Sequence, residues 1–217
     1  SVHLQNVTRE VRNACLAGCW DYDIENCHFA IFAQLARQHG YEAETVRDYM
    51  AHKEDRRRDV AASIGVRKER AKKALLMLLY GARQSENWRD AIPEEIGVAA
   101  AARLYRLPFF KALHADVKAG RAAILAGTPV KRGKVYNVLR KPIDASETPR
   151  CKLAHLQQGI EAQMLHAIGE LHGDALVLLM HDGWVSETRL DVPEMVAAIR
   201  EKTGFEVELS EGYLSEL

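Results

Sequence analysis

The stretch Ala175-Leu176-Val177-Leu178-Leu179-Met180-His181-Asp182-Gly183-Trp184-Val185-Ser186 places an Asp-Gly pair between two runs of strand-forming residues. Asp-Gly in this setting is the strongest local signal of a β-hairpin. Asp182 would then lie at the hairpin tip with an apolar strand behind it. A carboxylate is costly in such a place unless it binds something, and a metal ion is the obvious candidate. A metal site of this kind needs a second carboxylate from elsewhere in the chain.

Length and composition describe an ordinary globular protein. The chain has 217 residues, 47% of them apolar and 28% charged, which suits one larger domain or a core with an insertion. It contains no run of about 18 apolar residues and no secretory leader pattern, so we expect no membrane span. Its four cysteines predict reduced thiols. We therefore expect a cytoplasmic or other intracellular location, with a phage, plasmid or organelle context included.

The formal net charge is zero, but the charges are segregated along the chain. Residues 52–73 and 131–152 are rich in Lys and Arg, whereas residues 153–217 are rich in Asp and Glu. Two basic segments and an acidic C-terminal third favour a polyanionic partner beside a cation site. The alternative is that these charges only solvate helix faces.

Hydrophobic periodicity predicts many helices and few, widely separated strands. This order is typical of an α+β fold in which helices pack on a small antiparallel sheet. Residues 84–150 read as an insertion or subdomain. The predicted helices are Leu4–Leu16, Asn26–His39, Ala43–His52, Lys53–Ile64, Val66–Tyr80, Glu94–Tyr105, Phe109–Ala126, Cys151–Leu171 and Val192–Thr203. The predicted strands are Cys19–Ile24, Val135–Leu139, the two arms of the Asp182 hairpin and Phe205–Leu209.

The second carboxylate candidate is Asp23, in Trp20-Asp21-Tyr22-Asp23-Ile24-Glu25-Asn26. A strand-like segment ends there and a helix begins. Two Asp side chains on adjacent strands can hold two divalent cations about 4 Å apart, a pair that clamps the attacking and leaving oxygens of phosphoryl transfer. Carboxylates and a substrate phosphate favour Mg²⁺, with Mn²⁺ as the substitute. The alternative is that Asp23 only caps the helix.

A third motif lies on the basic helix around residue 70. Lys68, Lys72 and Tyr80 are spaced by four and eight residues, so they lie close to one helix face. Two ammonium groups followed by a ring suit a nucleotide, with the cations on the phosphates and the ring near sugar and base. An amphipathic helix whose lysines lie over apolar surface is the alternative.

In this order, the three motifs resemble the palm and fingers motifs of family-A DNA polymerases and of the single-subunit phage and mitochondrial RNA polymerases. Asp23 matches the metal-binding Asp that ends the first strand. Lys72, Tyr80 and Gly81 match the second motif in register, with Lys68 where the family has Arg. His181-Asp182 matches the third motif. The resemblance covers about half of the chain, and residues 84–150 find no counterpart.

The resemblance implies a palm-like sheet with a helical fingers-like insertion, no recognisable thumb, and two-metal nucleotidyl transfer. Asp23 and Asp182, with Ile24, would hold two Mg²⁺ ions, and Lys72 would stabilise charge on the leaving pyrophosphate. The remaining implied contacts are grouped by partner. Nucleotide contacts would come from Lys68, Lys72, Tyr80, Gly81 and His28, and primer or template contacts from His181, Arg56, Arg57, Lys131, Arg132 and Glu161.

The expected organisation is a first palm strand and basic helix in residues 1–83, an insertion in 84–150, and the completed palm with its hairpin in 151–217. The expected function is a template-directed, DNA polymerase-like nucleotidyltransferase that binds nucleic acid and nucleoside triphosphates beside flanking replication domains. His28 stands where the DNA polymerases have a Glu that excludes ribonucleotides, so the sugar preference is open. Only 22 residues precede Asp23, which predicts a fragment of a longer protein or a minimal, thumbless enzyme.

Several alternatives remain at this point. A thumbless enzyme suits a primase or RNA polymerase that makes short primers. An inactive palm could serve as a nucleic-acid-binding module, and a metal-dependent nuclease or phosphatase would use the same carboxylates. Glu161 could equally be a buried, hydrogen-bonded structural residue. Cys15, Cys19 and the Cys27-His28 pair approach a zinc-ligand spacing, although adjacent Cys and His are awkward for a tetrahedral site.

Overall fold

The structure, a computed structural model, describes residues 9–215 and their side chains from residue 11 onward. It is an α+β fold, as predicted. The helices are α1 (Arg9–Cys15), α2 (Cys27–Gln38), α3 (Glu44–Ala51), α4 (Lys53–Ile64), α5 (Lys68–Leu79), α6 (Ala91–Ile96), α7 (Val98–Leu104), α8 (Pro108–Gly127), α9 (Pro149–His172) and α10 (Val192–Thr203). The strands are β1 (Trp20–Ile24), β2 (Val130–Lys131), β3 (Lys134–Tyr136), β4 (Pro142–Asp144), β5 (Leu176–Leu179), β6 (Gly183–Ser186) and β7 (Leu209–Tyr213). No helix in this part of the chain has the length and apolar character needed to cross a bilayer.

The chain divides into two compact units. The sheet unit comprises the described residues up to Ile31, the segment Asn137–Lys141 and the described residues from Leu156 onward. The helical unit comprises Phe32–Tyr136 and Pro142–His155.

The sheet unit is built on four antiparallel strands in the order β5-β6-β1-β7. Strand β1 alternates as a half-buried strand should: Tyr22 and Ile24 are fully buried, whereas Asp23 is exposed between them. Tyr22 stacks on Trp184 of the neighbouring strand with ring centroids 5.9 Å apart. Its hydroxyl accepts a hydrogen bond from the Leu190 backbone N–H at 2.7 Å. The burial of one face thus fixes the register that presents Asp23 on the other face.

The predicted hairpin is present, but Gly183 is needed for a different reason than the turn. The connection consists of Met180, His181 and Asp182, and Gly183 is the first residue of β6. Its φ is not positive, so the turn itself does not require a glycine there. A Cβ atom on Gly183 would lie 2.4 Å from the Tyr22 carbonyl oxygen and 3.5 Å from Oδ1 of Asp23. Glycine at this position therefore lets β1 and its carboxylate approach the hairpin closely.

The helical unit contains helices α3 to α8 and the small antiparallel sheet β2-β3-β4. Its core includes two charged residues, Arg57 of α4 and Asp116 of α8, and the exposed fraction of Asp116 is 5%. The Asp116 carboxylate accepts hydrogen bonds from the Tyr41 hydroxyl at 2.7 Å and from the Val46 backbone N–H at 3.0 Å. Because Val46 lies in the first turn of α3, this buried carboxylate satisfies a helix N-terminus that has no cap of its own.

Three predicted elements are corrected by the structure. Phe205–Leu209 is not a strand: Phe205 and Val207 are buried in an irregular segment, and the strand begins at Leu209, where pairing with Ile24 starts. The helix predicted over residues 94–105 is divided by Gly97 at φ 85°, which separates α6 from α7. The strand predicted over residues 135–139 is shorter and lies at Lys134–Tyr136. Of the predicted first helix, residues 4–8 lie outside the described residues.

Candidate functional site

The structure brings Asp23, on strand β1, close to Asp182, the last residue of the connection that leads into the neighbouring strand β6. Asp23 is directly opposite Gly183 in the β1–β6 ladder, and the Ile24 backbone N–H donates to the Asp182 carbonyl oxygen at 2.8 Å. Both aspartates line one open cleft with a volume of about 440 Å³. The juxtaposition is produced by strand pairing between residues that are far apart in sequence.

Further side chains line the same cleft. They are Arg12, Asp21, Met180, His181 and Ser210. Asp21 could have been found from sequence, because residues two apart on a strand share a face and Asp21 precedes Asp23 by two. Arg12 and Ser210 carry no local signal, since α1 and β7 reach the cleft only through the tertiary fold.

The carboxylates of the sheet unit produce a negative potential at the start of α2. The Cys27 thiol is buried there, and its pKa is raised well above the usual range, first by burial and then by Glu161, Asp182 and Asp23. A negative potential that disfavours a thiolate also favours a bound cation.

A metal ion would find carboxylate oxygens in the cleft, but not a closed cage. Within residues 9–215, no group of three or more His, Cys, Asp or Glu side chains is arranged to hold a metal ion. The hydrocarbon side chain of Ile24 has no donor atom and is fully buried, so this residue could offer only its main-chain carbonyl oxygen. Two carboxylates in an open cleft fit Mg²⁺, which keeps several waters and completes its shell with substrate phosphates.

His28 and Glu161 form a closely coupled pair within the sheet unit. His28 Nε2 and Glu161 Oε2 are 2.5 Å apart, and the exposed fractions of the two side chains are 17% and 10%. The Gln157 amide also donates to the His28 carbonyl oxygen at 2.7 Å. This placement matches the structural interpretation of Glu161, and it gives His28 a fixed ring position. Neither residue lines the Asp23–Asp182 cleft.

In the helical unit, the two lysines of the second motif on α5 differ in whether they have a hydrogen-bond or ion-pair partner. The Lys68 ammonium donates to Glu54 at 2.8 Å, and this bond is the main reason why the pKa of Glu54 is lowered. Lys72 is exposed and makes no hydrogen bond or ion pair with the described residues. Tyr80 ends the helix with 38% of its surface exposed. Lys72 is therefore the better candidate for a phosphate contact.

Gly81 is required by the local backbone. Its φ of 80° is in the left-handed region, which closes the C-terminus of α5. A Cβ atom on Gly81 would lie 2.7 Å from Nη1 of Arg121 and 3.1 Å from Cβ of Arg150. The predicted nucleotide contact of Gly81 thus has a structural explanation that needs no nucleotide.

The four basic residues predicted to contact template differ in availability. Arg57 is only 7% exposed and donates to the Tyr49 hydroxyl and to Glu54, so a template contact would require both bonds to break. Arg56 is paired with Asp48 at 2.7 Å. Lys131 and Arg132 are exposed around the β2–β3 turn and make no ion pair with the part of the chain that the structure describes. Only Lys131 and Arg132 keep the free charge that the prediction assumed.

The cysteines are all free thiols in different surroundings. Cys15 is exposed, Cys19 is half-buried, and Cys27 is buried. The raised pKa of Cys27 disfavours the thiolate that zinc would need.

A scan of the chain against protein-family models gives no match. A search against curated proteins also finds no similar sequence. The geometry described above therefore carries the functional argument.

Proposed function

We propose that this protein is a template-directed nucleotidyltransferase that extends a nucleic-acid strand from its 3′-hydroxyl with nucleoside triphosphates. The observation that carries the proposal is that Asp23 on β1 and Asp182 at the hairpin end beside the adjacent antiparallel strand β6 line one open cleft. The sequence resemblance adds support, because it selects these two aspartates and predicts that they lie on neighbouring strands.

Asp23 and Asp182 would hold the metal ions, with the Ile24 carbonyl oxygen as a further ligand. Bound Mg²⁺ would supply activation of the 3′-hydroxyl and neutralisation of the triphosphate. His181, at the exposed end of the hairpin, would contact the primer end. Arg12, the one cation among the described residues that line the cleft, would balance phosphate charge close to the carboxylates.

The residues of α5 would bind the incoming nucleotide. Lys72 would stabilise charge on the leaving pyrophosphate, because it is exposed and makes no ion pair with a carboxylate of the described residues. Tyr80 would bound the sugar and base. Lys68 would assist only after release from Glu54, so we expect its contribution to be smaller.

Primer extension tests the proposal. A labelled primer on a longer template is incubated with Mg²⁺ and either deoxyribonucleoside or ribonucleoside triphosphates. We expect extended products from the wild-type protein and loss of extension by at least about 100-fold in Asp182→Asn. Asp174→Asn is the matched control, because Asp174 is exposed in the same unit and does not line the cleft.

Other products would identify the alternatives. Oligonucleotides formed without a primer would assign a primase. Shortened strands that need no triphosphate would assign a nuclease, and binding without any product would assign an inactive nucleic-acid-binding module. Full extension by Asp182→Asn would contradict the proposed metal site.

A further inference from the structure

A cluster of cations in the helical unit forms no ion pair with any carboxylate of the described residues. Arg121 of α8 is half-buried and makes no hydrogen bond or ion pair with the described residues. Arg150, in the first turn of α9, lies beside the same glycine: an added Cβ on Gly81 would be 2.7 Å from Nη1 of Arg121 and 3.1 Å from Cβ of Arg150. The Arg121 guanidinium and the base of the Arg150 side chain thus lie beside one backbone position.

The neighbours of Arg121 on α8 extend this cluster. His114, Lys118 and Arg121 are spaced by four and three residues, so they lie along one side of the helix. The pKa of His114 is lowered, first by burial and then by Lys118 and Arg121, with no carboxylate acting in the opposite direction. The pKa of Arg121 is lowered by burial alone. A nearby Asp or Glu would have raised both values.

Most other arginines of the helical unit already serve the fold. Arg103 donates to the Ile64 carbonyl oxygen, Arg70 pairs with Glu95, and Arg56 pairs with Asp48. Arg121 differs because burial has removed part of its water and nothing in the described residues replaces that water. Keeping a cation in this state costs free energy, which an anion would recover.

We propose that Arg121, Arg150 and Lys118, beside Gly81, form a binding site for the backbone phosphates of a nucleic-acid strand. The exposed ring of Tyr80 directly precedes Gly81, and a ring next to phosphate-binding cations suits a strand whose bases stack on aromatic side chains. Guanidinium groups also match the geometry of phosphate oxygens. The site contacts phosphates and therefore has no sequence preference.

This site is independent of the proposed chemistry, because binding needs neither Mg²⁺ nor a triphosphate. Fluorescence anisotropy with a labelled 20-nucleotide single-stranded DNA, in EDTA and without nucleotide, measures it over a salt series. We expect Arg121→Gln to weaken binding by about 10-fold and to reduce the slope of log K against log salt by about 0.7 per lost contact. Arg121→Lys should retain most of the affinity.

Arg106→Gln is the matched control, because Arg106 is exposed in the same unit and makes no ion pair with the described residues. Arg150→Gln is the second test variant. If Arg121→Gln lowers the melting temperature, the affinity of Arg150→Gln for the DNA is the result that tests the proposal. Unchanged affinity in a folded Arg121→Gln or in Arg150→Gln would overturn the proposal. An equal loss of DNA affinity in Arg106→Gln would indicate a diffuse positive electrostatic potential instead of a localised binding site. Equally strong competition by polyglutamate of the same length would assign the surface to an acidic protein and would also overturn it.

Discussion

The carboxylates of the sheet unit and the cations of the helical unit become available in different ways. Asp23 and Asp182 meet because two strands pair in a register fixed by buried residues such as Tyr22 and Trp184. Lys72 and Arg121 make no ion pair with the described residues, whereas two carboxylates of their unit have other partners: Glu54 binds Lys68, and Asp116 supports the N-terminus of α3. Backbone pairing creates the acidic cleft, whereas side-chain pairing decides which cations remain for a ligand.

Outside the metal site, the largest expected effect tests the availability of Lys72. In primer extension, Lys72→Gln should lower kcat/KM for the triphosphate by about 100-fold, because an unpaired cation positioned on the leaving phosphates is lost. Lys73→Gln is the control, since the adjacent Lys73 lies 3.6 Å from Glu95 and already has a partner. Similar losses in both variants would mean that pairing does not distinguish the two lysines.

A medium effect tests whether Asp116 is a structural carboxylate. Asp116→Ala leaves the Tyr41 hydroxyl and the Val46 N–H without their acceptor, so the free energy of unfolding should fall by about 2–4 kcal/mol. Urea denaturation followed by circular dichroism measures this loss. Asp59→Ala, at an exposed position on α4, should change the stability by less than about 0.5 kcal/mol. A stable Asp116→Ala protein would remove the contrast between structural and available carboxylates.

The smallest effect tests the buried face that sets the register of β1. Tyr22→Phe removes the acceptor of the Leu190 N–H, so we expect a loss of about 1–2 kcal/mol in the free energy of unfolding. Tyr213→Phe is the matched control, because Tyr213 is 57% exposed and its hydroxyl makes no hydrogen bond with the described residues. Equal stabilities of the two variants would show that this bond does not help to hold the strand.

Much of the fold could be predicted from the sequence, because the signals for these elements are local. The Asp-Gly pair predicted the hairpin, and Pro193 and Gly204 bracketed α10, whose predicted limits are those observed. The errors arise where tertiary context overrides a pattern. Phe205 and Val207 alternate with glutamates as in a strand, yet pairing with β1 begins only at Leu209.

The candidate site could be predicted in part for the same reason. Asp23 and Asp182 follow from strand ends and turn chemistry, which are visible in the sequence. Arg12 and Arg121 could not be found, because their positions depend on how separate helices pack. The basic run at residues 56–58 was misleading, since Arg57 is buried against Tyr49 and only tertiary contacts show which charges are paired.

The proposed metal site requires Asp23 and Asp182 to act together, and a double-variant comparison of primer extension measures this directly. Asp23→Asn, Asp182→Asn and the double variant are assayed under single-turnover conditions, with circular dichroism to establish folding. We expect each single variant to lose at least about 100-fold in activity, and the double variant to be no less active than the less active single variant, because one carboxylate cannot hold the metals alone. Losses that multiply in the double variant, or full activity in either single variant, would show that the two aspartates do not form one site.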